Sequence, residues 1–428
     1  MFPPLSCLAL YEFKAGEVIY GFRLSRSGTN PDPRTYAPER SGNILLPLLR
    51  VIVMKQITDI KQLFIADRPL IDLRAPIEFA RGAFPNTINL PLLTDNERAA
   101  VGTCYKKHGQ KAAIDLGHDL VCKEVRQQRT EAWIEFIRQN PGAVLYCFRG
   151  GLRSETVQQW LKQEGYALPR VTGGYKALRH LLMETIENVA RDHSLVLLGG
   201  MTGVGKTELL PLLENSIDLE GHAHHRGSAF GGLPEGQPTN IEFENRIAIE
   251  FLKKSETGIR QWVVEHESRM IGANCLPAPL YLAMQDSPLV IVEAGIEERA
   301  ERIRRDYVEQ MRQQYRLLFG ASDGDLQFCR FLQESLAKLQ RKLGDRNWRE
   351  LDAIMARALR QQLDQGETGL HMEWITFLLE HYYDKFYRKG IEKRSASIIF
   401  KGEGQACVDF LRQMRPGAID PAASGTGS

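Results

Sequence analysis

Residues 194–210 read Ser-Leu-Val-Leu-Leu-Gly-Gly-Met-Thr-Gly-Val-Gly-Lys-Thr-Glu-Leu-Leu, and no other stretch constrains the fold as tightly. An apolar strand (194–198) runs into Gly200-x4-Gly205-Lys206-Thr207 and then into an apolar helix. That order predicts a phosphate-binding loop in its required strand–loop–helix setting. Gly200, Gly203 and Gly205 let backbone N–H groups surround a phosphate chain. Lys206 adds a point charge, and the Thr207 hydroxyl is placed as such loops place it toward Mg²⁺. Such a loop needs an acid at the end of a neighbouring strand. Gln261-Trp-Val-Val-Glu265-His-Glu267 and Pro288-Leu-Val-Ile-Val-Glu293 both qualify. Glu265 or Glu267 is preferred because two carboxylates cluster there, and the sequence leaves open which of them acts.

A second strand–loop–helix lies upstream. Gly142-Ala-Val-Leu-Tyr-Cys147 is apolar throughout, as buried parallel strands are. Phe-Arg-Gly-Gly-Leu-Arg-Ser154 follows, and a helix starts at Glu155. Gly150 and Gly151 allow successive N–H groups to turn inward as an anion-binding nest, and the helix N-terminus adds partial positive charge. A cysteine there is expected to ionise readily and act as a nucleophile. Arg153, with Arg149 beside it, is expected to hold an oxyanion, and Ser154 closes the loop. Cys104 and Cys122 lie in helical pattern without such surroundings and read as structural.

The remainder sets the frame. Lys+Arg 55 against Asp+Glu 53 gives a net charge of +2, which excludes a histone-like or polyacidic chain while allowing a local basic groove. Seven cysteines without a CxxC pair argue against a disulfide scaffold or structural zinc and for a reducing, cytoplasmic setting. No apolar run approaches the ~20 residues of a membrane helix. Residues 1–53, broken by Pro3, Pro4, Pro31, Pro33 and Pro38, are expected to be a disordered extension or an upstream start, with Met54 opening the folded protein. The tail, 416–428, is expected to be disordered too. His222, His224 and His225 sit in a Gly/His-rich stretch read as a flexible loop that offers His and Arg226 to the phosphate site, with no metal. The helical stretch at about 297–390 interleaves Arg302, Arg304, Arg305, Arg312 and Arg316 with Tyr307 and Tyr315. That pattern suits either a solvated face or RNA tracking.

Ile71-Asp72-Leu-Arg74-x-x-x-Glu78-Phe, Gly82-Ala-Phe-Pro-Asn-Thr-Ile-Asn89-Leu-Pro91 and the Cys147 loop together resemble a rhodanese domain. That resemblance implies a chalcogen adduct on Cys147 and makes Asp72 and Arg74 a structural brace. The Cys147-x5-Arg153 spacing departs from many rhodaneses. It matches the longer loop of phosphatase-like relatives, which suits a tetrahedral anion. With Glu97-Arg98-Ala-Ala-Val-Gly-Thr103, Tyr105-Lys106 and Gly200-x4-Gly-Lys-Thr207, the whole order resembles the tRNA 2-selenouridine synthases. The expected architecture is α/β: a rhodanese-like domain (54–185), then a P-loop domain (186–415) with a helical insertion. The resemblance implies a transferase acting on tRNA with 2-thiouridine at the wobble position. Its co-substrates would be selenophosphate and geranyl diphosphate, with no tightly bound cofactor. It further implies that Cys147 takes selenium as a selenyl-sulfide. A cysteine phosphatase or a sulfurtransferase with a nucleotide-binding regulatory domain is the alternative, although Tyr146 stands where a phosphatase has histidine.

Overall fold

The computed structural model describes residues 56–192, 195–392, 394 and 397–414, together with two short strands near the N-terminus. Those two, Phe13–Lys14 and Glu17–Val18, pair antiparallel within a separate unit that ends at Val51. The disorder expected of 1–53 and 416–428 otherwise concerns residues outside the described ones.

The first sheet comprises β1 (Gln56–Ile57), β2 (Leu70–Asp72), β3 (Thr87–Asn89), β4 (Val144–Tyr146) and β5 (Arg170–Val171). All pairings are parallel and the order is β1-β5-β4-β2-β3. Parallel neighbours need crossover connections, so helices fill the intervals and cover both faces. The two-residue period of β4 then divides its side chains. Val144 and Tyr146 enter one apolar core, while Leu145 and the following Cys147 enter the other. The longest crossover helix, Asp95–Leu120, opens on a capping box. Glu97 N–H donates to Thr94 Oγ1 at 3.4 Å, and Thr94 N–H donates to the Glu97 carboxylate at 2.8 Å. It breaks at Gly109 (φ 82°), inside the polar stretch Lys106–Gln110.

The second sheet comprises β6 (Leu195–Gly200), β7 (Ser216–Ile217), β8 (Trp262–Glu265), β11 (Leu289–Val292) and β12 (Ile398–Gly402), also all parallel, in the order β12-β11-β6-β8-β7. A small antiparallel hairpin, β9 (Met270–Ile271) and β10 (Asn274–Cys275), follows β8. Between β11 and β12 the chain makes a run of helices from Ile296 to Glu392 with its own core around Phe328, Leu332 and Trp374. Helix Gly174–Arg191 links the two sheets. Its Leu178, Leu182 and Ile186 share one apolar cluster with Leu70 and Val144 of the first half and Leu197 and Phe243 of the second.

Each sheet has a point where the chain reverses its direction of strand addition, between β2 and β4 and between β6 and β11. Crevices at the carboxyl ends of strands at such points are where open α/β sheets bind ligands. Cys147 lies directly after β4, and the Gly200–Lys206 loop directly after β6. No described helix is long and apolar enough to cross a membrane.

Candidate active site

The Cys147 loop is tied down by backbone bonds to the start of helix Gly174–Arg191. Tyr175 N–H donates to Cys147 O at 2.9 Å and Lys176 N–H to Phe148 O at 3.2 Å. Gly150 adopts φ +67°, and a Cβ there would lie 2.5 Å from Val171 O, so only glycine closes this turn. Cys147 Sγ lies 3.3 Å from Ser154 Oγ, which itself donates to Gly151 O at 2.8 Å. With that hydroxyl proton committed, the neutral thiol is the donor to Ser154. Once the thiol ionises, rotation of one hydroxyl supplies a hydrogen bond to sulfur. Cys147 is 3% exposed, sitting just behind Phe148, Arg149, Leu152 and Arg153, which line a cavity of about 1180 Å³.

The brace beneath this loop is complete. Arg74 Nε donates to Asp72 Oδ2 at 2.8 Å and Arg74 Nη2 to Gly82 O at 3.0 Å. Tyr146 OH donates to Asp72 Oδ2 at 2.8 Å, and the guanidinium lies 3.7 Å above the Tyr175 ring. Burial alone would lower the Arg74 pKa, but the Asp72 carboxylate more than reverses it. Tyr146, at the position a phosphatase gives to histidine, therefore serves the brace and not the cysteine.

Arg153 is already engaged. Its Nη1 donates to Glu78 Oε2 at 2.9 Å, so an incoming oxyanion must share or displace that carboxylate. Burial pushes the Glu78 carboxyl up, but Arg153 and the Ala75 N–H outweigh it and hold it below the usual range. Glu78 was visible in the sequence only as part of a motif. Its role depends on a contact 75 residues away in the chain. Arg149 is exposed, and Gly151 caps helix Leu152–Gln163.

At the second centre, Gly203 and Gly205 form the turn. A Cβ on Gly205 (φ +87°) would meet the Arg302 guanidinium at 2.8 Å, and Arg302 Nη1 donates to Gly203 O at 2.7 Å. The Gly200 N–H donates to the Tyr387 hydroxyl oxygen, which arrives from the last helix of the insertion. The expected apolar helix after the loop is a single turn, Lys206–Leu209, followed by a 3₁₀ turn over Leu210–Leu212. Pro211 lacks the N–H that would continue the α-helix. Thr207 is exposed at its start.

The acid left open by the sequence resolves geometrically. Lys206 Nζ lies 2.8 Å from Glu267 Oε1. Glu265 is fully buried behind it, with Oε2 accepting the Glu220 N–H at 2.9 Å and Oε1 lacking a partner. Glu293 is exposed. Glu220, which the sequence did not single out, joins this group by a hydrogen bond to Glu267. Burial, with the Glu267 charge beside it, pushes the Glu220 carboxyl up to about 8. Burial and Glu220 likewise push Glu265 well above the carboxylate range. Burial would lower Lys206, but Glu267, Glu220 and Glu265 hold it above its ordinary value. Burial, Lys206 and Arg394 press His266 down to about 4, so it is neutral at pH 7.

The Gly/His-rich stretch differs from its expectation as a flexible donor loop. It contains a capped helix, Leu219–Ala223. His222 pairs with Glu250, His224 lies 2.8 Å from Arg246, and Arg226 donates to Asp306 O at 2.7 Å. The group facing Lys206 is a carboxylate instead. Among the described residues no set of three or more His, Cys, Asp or Glu could by itself hold a metal. Mg²⁺, however, commonly uses one or two carboxylates plus substrate phosphates, and the Glu267 carboxylate beside Lys206 with the exposed Thr207 hydroxyl supplies donors of that kind.

The basic–aromatic stretch reads differently as well. Arg302 and Arg305 pair with Glu208, Arg304 with Glu301 and Glu309, and Arg312 with Asp325. Tyr315 is core, and Tyr307 packs against that core beneath Arg226. Ion pairs, several of them at the surface, and packing occupy these residues, and Arg316 is 45% exposed near Asp325, as the solvated-face reading of this stretch expects.

Residues 193–416 match the family model described as the tRNA 2-selenouridine synthase AAA domain. The chain is 52% identical over 356 residues to the tRNA 2-selenouridine synthase of Aeromonas salmonicida (strain A449), covering 83% of this chain and 96% of that one. It is 52% identical over 358 residues to the protein of the same name from Pseudomonas fluorescens (strain Pf0-1), covering 83% and 97%. Against that from Ectopseudomonas mendocina (strain ymp) it is 51% identical over 357 residues, covering 83% and 96%.

Proposed function

The chain belongs to the tRNA 2-selenouridine synthase family, and from that premise we propose that it replaces the sulfur of a wobble 2-thiouridine in tRNA with selenium. In this reading residues 54–185 are a rhodanese-like domain receiving selenophosphate, and the P-loop half receives geranyl diphosphate. The observation that carries it is the pair of strand-end anion loops, at Cys147 and at Gly200–Lys206, built on one continuous apolar core.

The chemistry needs two steps. The thiouridine sulfur attacks C1 of geranyl diphosphate, a C–S bond forms and diphosphate leaves. Lys206 and the loop N–H groups hold the departing charge. Glu267 and Thr207 would hold Mg²⁺, which would screen the diphosphate. Alkylated sulfur is then a good leaving group from C2. Selenophosphate carries selenium as selenide, so an S–Se bond on Cys147 would need an oxidant or would release phosphite. The balanced course has the Cys147 thiolate attack phosphorus while the P–Se bond breaks. Selenide attacks C2, geranylthiol leaves, and water frees phosphate from the cysteine. The longer Cys147-x5-Arg153 loop suits that tetrahedral phosphoryl group, with Arg153 on its oxygens and Ser154 on the sulfur. Incubation with selenophosphate followed by phosphorus NMR tests the step. S-phosphocysteine on Cys147 is expected, and a selenium adduct without phosphocysteine would overturn it.

A further inference from the structure

The cavity beside the Cys147 loop is far larger than a tetrahedral anion requires. At about 1180 Å³ it exceeds the ~300–1,000 Å³ of most small-molecule sites. Its inner wall is apolar: Leu93 and Trp160 are each 7% exposed and Ala113 5%, with Val101, Ile114 and Phe148 half-buried around them. Both arms of the helix broken at Gly109 contribute, Val101 from the first and Ala113 and Ile114 from the second. The outer side is cationic. Arg81, Lys106 and Arg149 are exposed, line the same cavity and have no ion pair among the described residues. Among the described residues Glu78 is the only carboxylate in the lining, and it is shared by Arg98 and Arg153. An apolar interior behind unpaired surface cations fits a hydrocarbon chain attached to a polyanion. Neither free selenophosphate nor an unmodified base would use that interior.

We propose that this cavity is the leaving-group pocket of the selenium step. It takes the ten-carbon chain carried on sulfur by the alkylated base, and Arg81, Lys106 and Arg149 take the flanking RNA phosphates. The proposal rests on the geranylated intermediate of the preceding section and gives it a place. Filling the pocket sets C2 of the base before the Cys147 loop, and when the C2–S bond breaks the departing geranylthiol is already housed. Beside the P-loop, Thr202 lines a far smaller apolar pocket of about 20 Å³ with Phe230, Ile303 and Trp374.

Anticodon stem-loop RNAs bearing 2-thiouridine, its S-dimethylallyl form or its S-geranyl form test this with the full chain by fluorescence anisotropy. Burying one methylene is worth about fourfold in affinity, so even partial burial of five further carbons predicts at least a tenfold preference for the geranyl over the dimethylallyl RNA. Val101→Glu and Leu152→Glu each should abolish that preference. Leu152 is 48% exposed, so its substitution leaves the fold intact. Lys106→Ala and Arg149→Ala should weaken all three RNAs alike and flatten the salt dependence. A geranyl preference that survives both glutamate variants would overturn the pocket while leaving the geranylated intermediate standing. So would loss of free geranyl diphosphate binding alone in those variants, since the chain would then enter as the diphosphate. Absence of any chain-length preference in the wild type, together with selenouridine formed without geranyl diphosphate, would overturn the intermediate itself.

Discussion

Glu220→Gln should stabilise this protein at alkaline pH and leave it unchanged in acid. Glu220 is buried against Glu267 and Glu265, and its carboxyl is pushed from an ordinary 4.5 up to about 8. Below 4.5 both folded and unfolded chains hold the proton, and the group exerts no pH-dependent effect. Between 4.5 and 8 only the unfolded chain ionises, so stability falls as pH rises, by about 1.4 kcal/mol per unit. Above 8 the loss levels off at about 5 kcal/mol as an upper bound, shared with Glu265, because the two buried carboxyls titrate together. Glutamine keeps a donor for Glu267 and cannot ionise. Urea midpoints of wild type and variant measured from pH 5 to 9 should coincide near pH 5 and separate progressively to about pH 8. A gain that is the same at pH 5 and pH 9, or no gain at all, would refute the buried-carboxylate argument.

Glu267→Gln removes the internal anion from Lys206 and should tighten inorganic diphosphate binding in EDTA about tenfold, as measured by calorimetry; unchanged or weaker binding would mean that the carboxylate does not compete. Asp72→Asn strips the compensating charge from buried Arg74 and should cost about 3–5 kcal/mol, read in thermal unfolding, whereas a cost below about 1 kcal/mol would make the brace dispensable. Gly150→Ala forces a Cβ against Val171 O at a left-handed φ and should cut selenouridine formation at least tenfold while geranylation persists. Wild-type selenouridine levels in that variant would mean that the loop tolerates a different turn.

What the sequence made legible was local. Strand, glycine-rich loop and helix are contiguous, so both anion loops and the Asp72–Arg74 pair could be read from neighbouring residues. What it concealed was the long-range wiring. Glu78 meets Arg153, Glu220 meets Glu265 and Glu267, and Tyr387 meets Gly200, each across tens to nearly two hundred residues of chain. No spacing rule connects them. Alternation of charge and aromatics in 297–390 suited either a solvated face or RNA tracking, because one sequence cannot tell a free arginine from one paired with Glu208 or Asp325. Pro211 was the one local signal that went unread, and it is what shortens the helix after the P-loop. The cavity depends on two helix arms folding toward each other at Gly109, and no single stretch displays it.

The most direct test is mass spectrometry of tRNA nucleosides after incubation with selenophosphate and geranyl diphosphate, comparing wild type, Cys147→Ala and Lys206→Ala. Cys147→Ala should accumulate geranylated thiouridine and form no selenouridine, and Lys206→Ala should form neither. Selenouridine made at wild-type levels without Cys147, or geranylation untouched by loss of Lys206, would contradict the assignment of selenium to one strand-end loop and diphosphate to the other.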